Sequence, residues 1–232
     1  MEMMTAKISE IFLSYQGEGP LAGSRQLFVR FYGCNRSCVF CDTVPERYRS
    51  FTRNGLMEKI LGFEDNYNEL VLTGGEPLLF ADFLQAFLKL FRTVRKKPVY
   101  LETNGTLPEE LRKVIDHVDI IAMDFKLPSS TGDEDDPWWI HEEFAKEAVQ
   151  KKLIVKAVIT DKTTIDDVKQ MTHIIVGLRG EPEVVLQPVT PVNEMAKEPD
   201  GEMLVFFKKH LEKSTNKEVL LLGQLHKRLG IR

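Results

Sequence analysis

The sequence predicts an α/β fold built on a parallel sheet. Three observations carry that prediction. Short runs rich in Val, Ile, Leu and Phe recur along the chain and stay apolar at successive positions, as strands buried on both faces do. Segments with helical spacing separate them. Gly-rich or polar groups follow one apolar run after another, so they gather on one side of the sheet. That side lies beyond the strand C-termini, where parallel α/β folds collect their chemistry.

The elements follow in order. "QLFVRF" (Gln26 to Phe31) leads into a cysteine loop, and "ELVL" (Glu69 to Leu72) leads into "TGGEP". "FADFLQAFLKLFRTV" then aligns Phe80, Phe83, Leu84, Phe87, Leu88 and Phe91 on one helical stripe. "PVYLE" (Pro98 to Glu102) runs into "TNG". "PEELRKVIDHV" follows as a helix, with Pro108 suited to its first turn and Glu109 and Glu110 at the positive end of its dipole. "DIIAMDF" (Asp119 to Phe125) ends at Lys126, and "KLIVKAVI" (Lys152 to Ile159) precedes the helical "TTIDDVKQMTHII". "EVVLQ" (Glu183 to Gln187), the helical "GEMLVFFKKHLEK" and "EVLLL" (Glu218 to Leu222) complete the alternation. Two long loops, Lys126 to Trp139 and Gln187 to Gly201, are of a length that is often functional. The acidic run Asp133 to Asp136 within the first reads as a solvated turn. Trp138 and Trp139 read as packing or dimer residues.

The 232 residues are read as a single domain, 1–232, long enough to bury a full core. An apolar fraction of 43% and a charged fraction of 28% are those of a soluble globular protein. A net charge of −4 supplies no positive field for nucleic acid. Apolar runs fall short of the roughly 20 residues that span a bilayer, and "MEMMTAKISE" lacks a signal-peptide core. A cytoplasmic setting is expected, where thiols stay reduced.

All 3 cysteines lie in "GCNRSCVFCDT", Gly33 to Thr43. Cys34, Cys38 and Cys41 have Cys-x3-Cys-x2-Cys spacing, and three readings compete. Structural zinc needs four closed ligands, and no second pair is present. A redox pair would use Cys38 and Cys41 and leave Cys34 unexplained. A 4Fe–4S cluster on three thiolates leaves one iron open to a substrate or cofactor.

"CNRSCVFC", with Phe40 before its last cysteine, resembles the cluster motif of the radical S-adenosylmethionine superfamily. The stretch Gly74-Gly75-Glu76-Pro77 resembles that superfamily's glycine-rich motif. The resemblance implies a partial (β/α) barrel of the radical SAM type. It also implies a reduced cluster that cleaves S-adenosylmethionine to methionine and a 5′-deoxyadenosyl radical. Glycines there would let the backbone approach the methionine end of the cofactor.

A narrower likeness runs through "IFLSYQGEGPLAGSRQLFVRFYGC", "CDT" and the terminal "LLLGQLHKRLGIR". These stretches resemble 7-carboxy-7-deazaguanine synthases. That family converts 6-carboxy-5,6,7,8-tetrahydropterin to 7-carboxy-7-deazaguanine with loss of ammonia, on the route to queuosine and related 7-deazapurines. It uses a 4Fe–4S cluster, S-adenosylmethionine and Mg2+. The resemblance implies that Tyr15, Gln16, Gly17, Arg30 and Thr73 contact the pterin, with Arg30 at its carboxylate, a task suited to a permanently charged fork. It places Thr43 on Mg2+, and Gly75 and Glu76 at the cofactor. Glu102, Asn104, Lys126 and Gln187, at strand ends, are further expected cofactor contacts. Asp124 and Phe125 depart from the Ser-Pro-Lys of many members, although Lys126 is kept. The resemblance further implies a homodimer and an external electron donor. A glycyl-radical-enzyme activating enzyme is the alternative; it shares the cysteine spacing, and "MDFK" is similar to that class. Such an enzyme would not need the Gln-Gly-Glu-Gly stretch, Arg30 and Thr43.

Overall fold

The computed structural model describes residues 4–43, 45–132 and 138–230. The acidic run Asp133 to Asp136 lies outside the described residues.

Seven parallel strands form most of one sheet: β2 (Arg25–Phe31), β4 (Glu69–Gly74), β5 (Val99–Thr103), β6 (Ile120–Phe125), β7 (Lys152–Ile159), β8 (Glu183–Pro188) and β9 (Val219–Leu221). Two antiparallel strands the sequence reading did not anticipate extend it: β1 (Thr5–Tyr15) pairs with β2, and β3 (Arg49–Thr52) pairs with β1. The order is β3-β1-β2-β4-β5-β6-β7-β8-β9, so the two edge strands do not meet and the barrel stays open. This is the partial barrel the resemblance implied.

A register shift between Ile8 and Glu10 breaks β1. Ala6 and Ile8 enter the core under the helices, as do Ile11 and Leu13, whereas Phe12 turns to the opposite face. One residue of slip moves a strand's side chains across the sheet, which is what a bulge accomplishes here.

The helices cover the outer face. They are α1 (Arg53–Leu61), α2 (Ala81–Val94), α3 (Pro108–Val114), α4 (Pro128–Thr131), α5 (Trp138–Ala148), α6 (Ile165–Gly177), α7 (Gly201–Thr215) and α8 (Leu225–Leu229). The α2 stripe is buried as expected through Phe83, Leu84, Phe87, Leu88 and Phe91. Each large side chain there contributes about 1.5–3 kcal/mol by leaving water. Phe80 precedes the helix and lies 5.6 Å from the Phe31 ring. Thr52, Thr164 and Asp200 cap α1, α6 and α7 by accepting backbone N–H groups. Trp138 and Trp139, read as loop residues, open α5; Trp138 packs on the core and Trp139 is exposed. Among the described residues no helix is long and apolar enough to cross a membrane.

Candidate active site

The inner face of the sheet is built in layers. Phe12, Phe28, Val71, Tyr100, Ala122, Ile154 and Val185 form an apolar floor. Side chains on one strand face alternate with period 2, so the residues two further along share that face. They are Arg30 above Phe28, Thr73 above Val71, Glu102 above Tyr100, Asp124 above Ala122, Lys156 above Ile154 and Gln187 above Val185. All six line the same large cavity at the C-terminal end of the parallel strands. Register ties neighbours together: Arg30 stands opposite Thr73, and Asp124 opposite Lys156.

The charges on this ring are paired. Lys126 donates to Asp124 Oδ2 at 2.7 Å, and Lys156 bonds Glu18 at 2.7 Å and lies 3.9 Å from Asp124. Burial works against charge on both lysines, yet the carboxylates beside them, Asp124 for Lys126 and Glu18 then Asp124 for Lys156, hold both pKa values above normal. Both therefore stay cationic at neutral pH. Lys126 also lies 5.5 Å from the centre of the Phe40 ring. Glu102 is held from two sides: Gln16 donates to one oxygen at 2.9 Å and Thr73 to the other at 2.7 Å. Two buried acceptors on the ring, Asp124 Oδ1 and Gln187 Oε1, have no hydrogen-bond partner.

One wall of the cavity is the turn after β1. Gln16 is buried and holds its own turn, because its Oε1 accepts from Gly17 N at 3.0 Å and Glu18 N at 3.2 Å. Tyr15 and Gly17 line the cavity, and Tyr15 is exposed. The C-terminal segment closes this wall. Leu225 N donates to Gly17 O at 2.9 Å, and Gln224 bridges Glu18 at 2.7 Å and Asp42 at 3.2 Å. Lys227 pairs with Asp42 at 2.6 Å. Burial would raise the Asp42 pKa, but the Lys227 bond outweighs it and holds the carboxyl below its usual range.

The cysteine loop forms the opposite wall. Cys34, Cys38 and Cys41 are in no disulfide, and all three line the cavity. The loop is fastened at both ends. Gly75 N and Glu76 N donate to Phe31 O and Gly33 O at 3.2 and 2.9 Å. Val39 N donates to Thr131 O at 2.9 Å, and Asn193 donates to Val39 O at 2.9 Å. The two glycines serve this fastening. Gly74 has a φ of +136°, and a Cβ on Gly75 would sit 2.0 Å from Gly33 O. Both line the cavity, but the space their missing side chains leave is taken by the backbone that delivers Cys34. Just beyond the loop, Thr43 Oγ1 accepts from Arg30 Nη1 at 3.1 Å and donates to Asp42 Oδ1 at 3.1 Å.

Glu76, expected at the cofactor, is placed differently from Gly75. Its side chain is fully buried and does not line the cavity. It accepts from Leu78 N at 3.0 Å, Asn104 N at 2.8 Å and the Thr103 hydroxyl at 2.9 Å. Burial raises its pKa to about 7 despite these donors.

The family model of the radical SAM superfamily matches residues 28–186. The 7-carboxy-7-deazaguanine synthase of Geobacter sulfurreducens is 36% identical over 209 residues, which span 80% of this chain and 82% of that protein. The enzyme of the same name from Methanothermobacter thermautotrophicus is 30% identical over the full length of both. The chain belongs to the 7-carboxy-7-deazaguanine synthase family of the radical SAM superfamily. Solved structures agree on the fold. QueE from Escherichia coli superposes with a TM-score of 0.64 at 18% identity, covering 94% of each chain. Streptococcus suis SuiB bound to S-adenosylmethionine gives 0.56 at 15% identity, over 84% of this chain and 46% of that one.

The expected site residues of this synthase-family chain converge on one cavity, with Glu76 alone set behind its wall. Sequence reasoning missed Lys156, Asp42 and Gln224, and read Asp124 only as a departure from the family pattern. Lys156 had a signal: a lysine inside an apolar strand, two residues after an inward Ile154. Asp42 and Gln224 lay in the family-like "CDT" and "LLLGQLHKRLGIR", but their contact, across 182 positions, had no signal.

Proposed function

We propose that the chain converts 6-carboxy-5,6,7,8-tetrahydropterin to 7-carboxy-7-deazaguanine with release of ammonia. The observation that carries this reading is the ring of polar side chains above an apolar floor, facing three cysteines across one cavity, in a chain of this family.

The donor sets fit the groups the reaction needs. Three soft sulfurs on one loop suit a 4Fe–4S cluster better than a hard cation. The unpartnered acceptors of Asp124 and Gln187 suit the ammonium and hydroxyl donors of S-adenosylmethionine, and Lys126 suits its carboxylate. When bound, the reduced cluster and S-adenosylmethionine supply the radical that starts the ring contraction.

The chain's own residues hold and orient the pterin. Arg30 is held over the Phe12 ring, 5.6 Å from its centre, and against Glu10 at 3.2 Å. A pterin carboxylate is the ligand this guanidinium suits, with Thr73 beside it on the next strand. Gln16 acts by fixing the turn, so that Tyr15 and the Gly17 backbone can face the pterin. Thr43 is the proposed Mg2+ ligand. Its hydroxyl accepts from Arg30, so a substrate carboxylate that draws the guanidinium away frees that oxygen for the cation. The apolar floor and the Gln224 closure exclude water from below and from one side. A cytoplasmic homodimer with an external one-electron donor completes the proposal.

The test is an anaerobic assay of the iron-loaded chain with reductant, S-adenosylmethionine, Mg2+ and 6-carboxytetrahydropterin, followed by mass spectrometry. 7-Carboxy-7-deazaguanine is the expected product, and Arg30→Ala suppresses it. Formation of 5′-deoxyadenosine with no deazaguanine overturns the substrate assignment and favours a protein substrate.

A further inference from the structure

Asn104 follows β5 at the cavity wall, and its polar groups are committed on every side. Its N–H donates to Glu76 Oε2 at 2.8 Å. Its carbonyl faces His141 Nε2 at 3.2 Å; a carbonyl only accepts, so Nε2 carries the proton. Its Oδ1 accepts from Thr106 N at 3.1 Å and from the Thr106 hydroxyl at 2.6 Å. Its Nδ2 donates to Asn35 Oδ1 at 2.8 Å, and Asn35 returns a bond to Thr106 Oγ1 at 2.9 Å.

These contacts settle which way the amide points. A backbone N–H can only donate, so the oxygen must face Thr106 and the nitrogen must face the cysteine loop. One N–H is spent on Asn35. The other is directed at Cys34 Sγ, 3.7 Å away. The same sulfur accepts the backbone N–H of Arg36.

A side chain locked this thoroughly serves one purpose at the far end of its amide. We infer that Asn104 is the positioning residue of Cys34: its N–H holds the sulfur as a cluster ligand and raises the reduction potential of the cluster. This deepens the proposed function and rests on its assignment of a 4Fe–4S cluster to the three cysteines. The physical reason is charge. Reduction adds an electron to the iron–thiolate unit, a donor to sulfur stabilises the more negative form, and hydrogen bonds to the sulfurs are among the terms that set cluster potentials. Glu76 and His141 act one step further back, by fixing the Asn104 backbone from both sides.

The experiment is an EPR-monitored redox titration of the anaerobically reconstituted full chain, with iron and sulfide counted per chain. Asn104→Ser keeps an oxygen near Thr106 N but does not reach Cys34. Its midpoint potential is expected to move to a more negative value with the cluster retained. Asn104→Asp keeps the shape, replaces the donor with a carboxylate oxygen, and is expected to move it further in the same direction. It also stands in if the serine chain does not fold. A variant that holds a full cluster at the wild-type potential overturns the inference and leaves the proposed function standing. A wild-type chain that takes up no iron overturns the cluster assignment, and this inference with it.

Discussion

Gly75→Ala separates two accounts of the glycine pair. One has glycine admitting the cofactor's methionine end; the other has it admitting the backbone that carries Cys34. The Cβ of an alanine would lie 2.0 Å from Gly33 O, 2.5 Å from Gly33 C and 3.0 Å from Cys34 N. All three are backbone atoms, so no side-chain rotation relieves the clash. Restoring ordinary contact, about 3.4 Å, requires the segment to move by more than 1 Å. That motion breaks the bonds from Gly75 N to Phe31 O and from Glu76 N to Gly33 O. Overpacking of this kind costs about 1–3 kcal/mol. At roughly 3 °C per kcal/mol for a chain of this size, Tm falls by about 3–9 °C. The assay is thermal unfolding by circular dichroism, together with iron bound per chain after reconstitution. Both are expected to fall. An alanine chain with unchanged Tm and full iron, but weakened S-adenosylmethionine binding, refutes the loop-fastening argument in favour of the cofactor one.

Three further outcomes follow from the site. Arg30→Lys keeps the charge and loses the fork, so kcat/KM for the pterin falls roughly tenfold, the equivalent of about 1.4 kcal/mol, which steady-state kinetics reads directly. Lys156→Met removes the ammonium that Glu18 pairs with at 2.7 Å, while Asp124 keeps Lys126. With the lysine side chain 19% exposed, the loss is on the order of 2–3 kcal/mol, measured by urea unfolding. His141 is fully buried, and burial lowers its pKa to about 3. Between pH 3 and 6.5 the unfolded chain therefore binds a proton that the folded chain does not. The stability involved is complete above pH 6.5 and is lost as pH falls toward 3. His141→Gln removes that dependence, so unfolding free energies measured from pH 4 to 7 rise less steeply than in the parent chain.

The parallel strands were legible because each is a continuous apolar run, and the polar residue that ends such a run was legible with it. Glu102 and Gln187 were found that way, whereas Arg30 and Thr73 came from the family resemblance. The antiparallel additions were not. β1 alternates, but its bulge shifts the phase midway, so Ala6 and Ile8 and then Ile11 and Leu13 are needed to see one face. β3 is four residues long and half exposed, too short for any period. α1 carries Gly55 near its start, and only Leu56, Met57 and Ile60 are buried. α5 begins at Trp138, straight after an acidic, proline-containing stretch that reads as loop.

The site itself divides along the same physical line. Position on a strand is a local property: a period of 2 puts Asp124 above Ala122 and Lys156 above Ile154 wherever the strand lies, so both were in principle readable from the alternation alone. What alternation cannot supply is partnership across the chain. Glu102 accepts from Gln16, 86 positions away, and Glu18 pairs with Lys156, 138 positions away. These bonds change what each residue can do. Glu102, held by Gln16 and Thr73, braces the first turn against the sheet, and each of its oxygens keeps a lone pair that faces the cavity-lining groups. Gln16 likewise spends its amide on Gln26, Glu102 and the backbone of its own turn. The sequence motif marks which residues gather at the cavity, and only the hydrogen-bond partners decide which of them remain available to a ligand.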